Sequence, residues 1–357
     1  MTRRLLLLNG LAVLMVPLHH STSFGLQAMF QWADRYLPVS RPNYDQLGSL
    51  PYYILMFIRQ LDSFGVPAFL VVSGFFIAFM GKGEGQQVTW KMVWPRIRVL
   101  LAPFILWTIL RYILLMRAPD SIDDVLDPYY YVVLMVQFFL LAPVLVPWAR
   151  KNWWSLLCVA ALLQLTIEAA ELFNALGVES VVLQAFRRFS FRWIFPARIF
   201  DFSLGVVIGT HLEGAKLWLA KAKWALLAGV VVTLAVALFE YQFLSSLSDR
   251  VWLGANNPGL SRILYASLVG PCFLAFADVK WPQRLADLGV NSFGVYMANI
   301  PFQFSAASIM YHAFPWALGV QLVYQSVLIS VGIAGPLLLM RLWRASPARP
   351  YYRLLFG

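Results

Sequence analysis

The first apolar run of the chain, LLLLNGLAVLMVPLHHSTS at residues 5–23, ends close to two adjacent histidines, His19 and His20. Neutral imidazole is the commonest general base in proteins, since its pKa lies near neutral pH. An ionisable side chain inside an apolar segment predicts a catalytic or binding role. Histidines at the end of a membrane helix also commonly mark the water interface, so both interpretations are open at this stage.

The spacing of the polar residues in this run favours one of the two histidines. Asn9 lies eleven residues before His20. On an α-helix this step turns through roughly 1100°, so the two side chains fall within about 20° of one stripe, whereas His19 is about 100° away from His20. Pro17 predicts a bend below the histidines, because it cannot donate a backbone hydrogen bond. The spacing therefore selects His20 as the candidate general base, with Asn9 and His19 as possible catalytic support.

The composition indicates an all-α integral membrane protein. Apolar residues make up 60% of the 357 residues and charged residues 13%, against roughly 45–50% and about 25% in soluble domains. Apolar runs of about 20 residues alternate with short polar breaks, which is typical of a helical bundle and not of a barrel. We expect one domain, residues 1–357, with about ten transmembrane helices near residues 5–25, 50–80, 95–116, 129–148, 153–173, 193–212, 223–243, 262–277, 289–310 and 315–341.

Basic residues near the ends of these spans predict the orientation. If both termini are cytoplasmic, all seven lysines fall inside and the acidic segment DSIDDVLD at 120–127 falls outside. We therefore expect a multi-pass protein of the cell membrane, inner or plasma. The net charge of +11 then favours binding to anionic membrane lipids on the inner leaflet. It does not indicate binding of nucleic acid, because the sequence contains no soluble basic module.

Several kinds of site are not expected from the sequence. There is no HExxH, no phosphate-binding GxxxxGK[ST] and no group of Cys and His with metal-ligand spacing, so we expect no metal site.

The longest polar breaks, near 26–49, 174–192 and 244–261, face outward and are rich in aromatic, Asn, Gln and Arg residues. That composition suits a polar, glycan-like partner, although loops between spans also simply lie at the interface.

Four segments, in a fixed order along the chain, resemble motifs of the membrane acyltransferase family 3. They are NGLAVLMVPLHH at 9–20, FGVPAFLVVSGFFIAF at 64–79, WPRIRVLLAPFILW at 94–107 and SFGVYMAN at 292–299. The resemblance implies an integral membrane O-acyltransferase. Such an enzyme moves an acyl group, commonly acetyl from acetyl-CoA, to a hydroxyl of a glycan, a lipid or a secreted small molecule. It implies acyl-CoA as co-substrate without a bound cofactor, His20 as the histidine of the first motif, and Ser73, Gly74 and Tyr296 as motif residues.

Two positions depart from the family pattern. Asn9 stands where the family has Arg or Lys, and Asn299 stands where it has His. Asn9 can donate hydrogen bonds but brings no charge to a phosphate or a developing anion. Either another cation does that work, with Arg59, Arg96 and Arg98 as the candidates, or the chain has lost ordinary activity. Asn299 keeps a donor and an acceptor but cannot transfer a proton.

Lys91, Arg96 and Arg98 cluster at the predicted inner interface, where they could bind the phosphates of a cytoplasmic acyl-CoA together with Arg59. The alternative is that these positive charges only anchor the end of the span at the cytoplasmic interface, as basic residues commonly do. Ser73 and Gly74 predict either close helix packing or a passage for the pantetheine arm.

Arg59 and Asp62, three residues apart, predict a structural ion pair on one helix face. The main alternative to an enzyme is a transporter or flippase for a polar or glycan substrate. In that case the intramembrane charged residues would line the path of the substrate. The matching halves with broken helices of common transporters are not visible in the sequence.

Overall fold

The computed structural model describes residues 1–33, 36–81, 87–115, 118–178, 180–248 and 259–357. Within these ranges the regular structure is entirely helical, which confirms the all-α expectation. The α-helices are α1 (Thr2–Phe30), α2 (Leu50–Leu61), α3 (Gly65–Met80), α4 (Trp90–Leu115), α5 (Ile122–Leu126), α6 (Tyr130–Ala175), α7 (Val181–Arg187), α8 (Ile199–Thr210), α9 (Leu212–Ser248), α10 (Leu260–Ala275), α11 (Gln283–Val290), α12 (Ser292–Ala313), α13 (Gln321–Ala345) and α14 (Tyr352–Phe356).

Six helical stretches of the described chain are long and apolar enough to cross a membrane. They are Thr2–Phe30, Leu50–Met80, Trp90–Leu114, Ile122–Ala175, Leu212–Leu247 and Gln321–Ala345. This number follows from length and hydropathy alone, so the count of about ten spans and the cytoplasmic side of both termini stay predictions. Lys82, which contributed to the predicted orientation, lies outside the described residues.

The longest helix, α6, is two segments joined at a kink. Its 46 residues would reach about 69 Å at 1.5 Å per residue, twice the roughly 30 Å of a bilayer core. Asn152 has φ −154° and ψ 82°, outside the helical region, and so breaks the rod. The two segments correspond to the predicted spans 129–148 and 153–173.

Helix α1 lies at the centre of the bundle, where it contacts α2, α3, α10, α11, α12 and α13. A 3₁₀ turn, Asp62–Phe64, separates α2 from α3 and also contacts α1 and α10. Polar residues in the second half of α1, such as the fully buried Ser21 and Thr22, therefore lie against other helices, which is the condition for an intramembrane site.

Glycines allow α3 and α8 to pack with their backbones almost in contact. A Cβ atom on Gly74 would collide with the carbonyl oxygen of Phe202, and one on Gly205 would collide with that of Val71. Small residues are the usual means by which membrane helices approach this closely. Of the two roles predicted for Gly74, the structure therefore shows close helix packing.

The predicted topology can be tested by cysteine labelling. In a background where the free cysteines Cys158 and Cys272 are replaced by Ala, we expect Thr2→Cys and Arg353→Cys to react only from the cytoplasmic side. Ile122→Cys, which is exposed beside the acidic segment, should react from outside. The physical reason is the concentration of lysines on one side of the predicted spans. Opposite accessibility of the three positions would contradict the orientation.

Candidate active site

A histidine and a buried carboxylate meet where α1 passes the turn between α2 and α3. The Nδ1 atom of His19 lies 2.8 Å from Oδ1 of Asp62, and the side chains are 26% and 0% exposed, respectively. An imidazole that donates its Nδ1 proton to a carboxylate keeps Nε2 as its basic nitrogen. The arrangement therefore orients a potential base on a partly accessible side chain.

The same face of α1 carries a second polar contact, one helical turn further along. Nη1 of the buried Arg59 donates to Oγ of Ser23 at 2.9 Å, and that hydroxyl donates to the carbonyl oxygen of His19 at 3.1 Å. Asp62 and Arg59 thus tie the end of α2 to His19 and Ser23 on α1. The sequence predicted Asp62 as the ion-pair partner of Arg59, whereas in the structure the carboxylate of Asp62 contacts His19.

The other residues of the first and last motifs lie apart from this contact. The ring of His20 meets that of His19 edge to face, with centroids 5.8 Å apart. The Oδ1 atom of Asn9 is buried without a hydrogen-bond partner among the described residues. Asn299 is fully buried and donates to the carbonyl oxygens of Val295 and Tyr296 in its own helix. Neither asparagine is hydrogen-bonded to a histidine within the described part, and the role of His20 as base stays a prediction.

Three glutamines that the sequence analysis did not select hold the opposite face of α1. The side-chain amides of Gln303, Gln325 and Gln321 donate to the carbonyl oxygens of Pro17 at 2.8 Å, Ser21 at 3.0 Å and Gly25 at 3.2 Å. These acceptors lie four residues apart and so form one stripe. A side-chain amide in an apolar helix requires such a partner. The glutamines of α12 and α13 could therefore have been recognised in the sequence as residues that hydrogen-bond to a neighbouring helix.

Two of the predicted motif residues are joined by a tyrosine from a third helix. The hydroxyls of Ser73 and Tyr131 are 3.1 Å apart, and the backbone N–H of Tyr131 donates to the hydroxyl of Tyr296 at 3.3 Å. The rings of Tyr131 and Tyr296 also pack with centroids 5.4 Å apart. The motifs on α3 and α12 thus meet through α6.

A family model described as an acyltransferase domain matches residues 5–341, nearly the whole chain. The chain belongs to membrane acyltransferase family 3. No curated protein and no solved structure matches it. Membership in this family indicates acyltransferase activity in a multi-pass membrane protein, in agreement with its long apolar helices.

In this acyltransferase the four basic residues predicted to bind the donor do not form one cluster. Lys91, Arg96 and Arg98 are exposed in the first turns of α4, and the guanidinium carbon of Arg98 lies 5.5 Å from the ring centre of Trp94. A mostly apolar groove of about 430 Å³ opens beside Lys91, lined by that residue, Trp94 and other residues of α4 together with Leu140 of α6. Arg59 is 2% exposed and lies on α2.

Two further arginines near the site, Arg192 and Arg262, were not selected by the sequence analysis. Arg192 donates to Oδ2 of Asp127 at 3.2 Å. Nη1 of Arg198 lies 3.7 Å from Oε1 of Glu168. The charges of Arg192 and of Arg262 on α10 act on His19 together with that of Arg59. Because these residues come from separate segments, no local motif identified them.

Proposed function

We propose that the chain is an integral membrane O-acyltransferase that moves an acyl group, in the simplest case acetyl, from a cytoplasmic acyl-CoA to a hydroxyl of a glycan, a lipid or a secreted small molecule. The observation that supports this reaction is the hydrogen bond between His19 and the buried Asp62, in a chain of an acyltransferase family. Acyl transfer to a hydroxyl needs a base that removes the hydroxyl proton.

The residues at the site fit the following sequence of steps. Asp62 accepts the Nδ1 proton of His19 in a hydrogen bond, and Nε2 takes the proton of the acceptor hydroxyl. The acceptor oxygen attacks the thioester carbonyl carbon, and the tetrahedral intermediate then expels CoA as its thiolate. The imidazolium returns its proton to that sulfur, which leaves the ester, free CoA and a neutral histidine.

The two adjacent histidines are competing candidates for the base. The spacing from Asn9 and the resemblance to the family favour His20. The carboxylate contact favours His19, because a buried carboxylate fixes the tautomer and the direction of the ring it holds. We propose His19 as the base and place His20 beside it as a residue that lines the same site.

We propose that the donor approaches from the cytoplasmic side along the start of α4. Replacing Arg96 and Arg98 together by Gln is expected to raise KM for acetyl-CoA at least about tenfold, because hydrogen bonds from charged donors to phosphate contribute about 1.5–3 kcal/mol each. Initial rates at varied donor and acceptor concentrations measure this. Arg341→Gln, an exposed arginine on α13, is the matched control. Equal increases in the two KM values would remove the assignment.

The overall function is tested with purified protein, labelled acetyl-CoA and a panel of sugars and other hydroxyl compounds. We expect label to appear on at least one acceptor as an ester that mild alkali removes. If no acceptor is labelled and the protein in liposomes instead moves a panel compound across the bilayer, the transporter or flippase alternative replaces this proposal.

A further inference from the structure

Arg262 lies on the face of α10 that meets the His19–Asp62 contact. Tyr265, three residues later in α10, donates its hydroxyl to the carbonyl oxygen of Leu61 at 2.8 Å, and Leu61 is the residue before Asp62. Residues three apart share one face of a helix. Arg262 is therefore one turn closer to the start of α10, on the side of that helix that packs against the 3₁₀ turn.

Arg262 is half-buried, and the buried part of its guanidinium lacks an acceptor. Its Nε atom is buried and has no hydrogen-bond partner in the part of the chain that the structure describes. No carboxylate of those residues lies within ion-pair distance of it. An unpaired buried donor on a charged group is unfavourable unless an acceptor is supplied.

The acids around Arg262 are each engaged with another residue. Asp62 contacts His19, Glu168 contacts Arg198, and Glu240, beside the start of α10, accepts from the backbone N–H groups of Leu260 and Ser261. The charged groups that act on Arg262 include Arg198, Glu168 and Arg192. Arg262 is thus a cation without a carboxylate of its own, within electrostatic range of the carboxylate that holds the proposed base.

We propose that Arg262 binds an anionic group of the hydroxyl acceptor, a carboxylate or a phosphate. This inference rests on the proposed function, since it concerns the substrate of the same site. A guanidinium presents a planar fork of donors that matches both anions. An anion held there keeps the rest of the acceptor next to His19, so that a neighbouring hydroxyl reaches the base.

The test compares matched ligands that differ in charge, without any acyl donor. The protein is placed in phosphatidylcholine nanodiscs, and titration calorimetry measures binding of methyl β-glucuronide, glucose 6-phosphate and the neutral methyl β-glucoside. We expect at least one anionic probe to bind at least about tenfold tighter than the neutral one, the scale of one charged hydrogen bond. Whichever anionic probe binds more tightly shows whether the anionic group of the acceptor is a carboxylate or a phosphate.

Two variants connect that difference to this residue. Arg262→Gln should remove the preference for the anionic probe, and Arg262→Lys should retain part of it, because Lys keeps the charge but not the fork. Arg188→Gln, at an exposed arginine that follows α7, should change nothing. If Arg262→Gln does not fold, the weaker binding expected of Arg262→Lys decides in its place.

Three results would overturn the inference. They are equal binding of charged and neutral probes by the unaltered protein, full preference in the folded Arg262→Gln variant, and a rise in the donor KM of that variant as large as in the Arg96 and Arg98 double variant. The last would assign the anion to CoA. Because binding is measured without donor, a protein that binds the anionic probe but transfers no acyl group to any acceptor would contradict only the proposed function.

Discussion

Replacing His19 by Ala is expected to lower kcat for acyl transfer by a factor of at least about 10², the scale of a missing general base. Thermal stability should also fall, because the buried carboxylate of Asp62 loses the hydrogen bond from His19, so the rate is measured on protein that is shown to be folded and monodisperse. The measurement is the initial rate with labelled acetyl-CoA at saturating acceptor. A loss in kcat with little change in either KM is the result that a base predicts.

The neighbouring variants decide between the two histidines. Asp62→Asn keeps the shape of the side chain but removes the charge that stabilises the imidazolium, so its rate should also fall mainly in kcat. His20→Ala should lose far less activity than His19→Ala. The reverse order would restore the assignment that the spacing from Asn9 favours, and the carboxylate contact would then serve only to fix α1. If both histidine variants kept full activity, the histidine mechanism would be wrong.

The sequence predicted the helical class because the physics that sets it is local. Inside a bilayer every backbone N–H and C=O needs a partner, so a long apolar run is read as a helix whatever surrounds it. The break between α2 and α3 also has a local cause, because Arg59, Asp62, Gly65 and Pro67 interrupt the predicted span 50–80, which is longer than a bilayer needs.

The partner of the histidine was not predictable in the same way. Helical spacing shows which residues of α1 share a stripe, and it placed His20 on the stripe of Asn9. It does not show which neighbouring helix faces that stripe. The contact between His19 and Asp62 joins residues 43 positions apart and depends on how α1 and the turn after α2 pack. Arg262, on a distant helix, is hidden from sequence analysis for the same reason.

The residues that set this packing were only partly recognised. Gly74 was selected as a position of close approach, but its counterpart Gly205 was not. The seam between α3 and α8 is formed by both glycines together, and the sequence does not show that these two helices face each other. The glutamines of α12 and α13 similarly gain meaning only beside the carbonyl oxygens of α1. In this bundle small residues and side-chain amides set the relative positions of helices that apolar composition alone leaves undefined.

Gly74→Ala and Gly205→Ala are each expected to destabilise the folded protein by about 1–3 kcal/mol, the usual range for overpacking a tight site. Each new methyl group would meet a backbone carbonyl oxygen of the facing helix. A backbone atom cannot rotate away like a side chain, so α3 and α8 would have to move apart. The expected result is a lower unfolding temperature in detergent and a lower yield of monodisperse protein.

A variant at a third glycine serves as a control that distinguishes the effect of helix packing on stability from the effect of helix propensity. Alanine is favoured over glycine in a helix interior by about 1 kcal/mol, so propensity alone predicts that both seam variants are stabilised. Gly214 lies in α9, and a Cβ atom there would have no neighbour within 4 Å. Gly214→Ala should therefore leave the unfolding temperature unchanged or raise it. If the seam variants behaved like Gly214→Ala, α3 and α8 would not be in backbone contact, and the position of Ser73 beside Tyr131 would lose its structural basis.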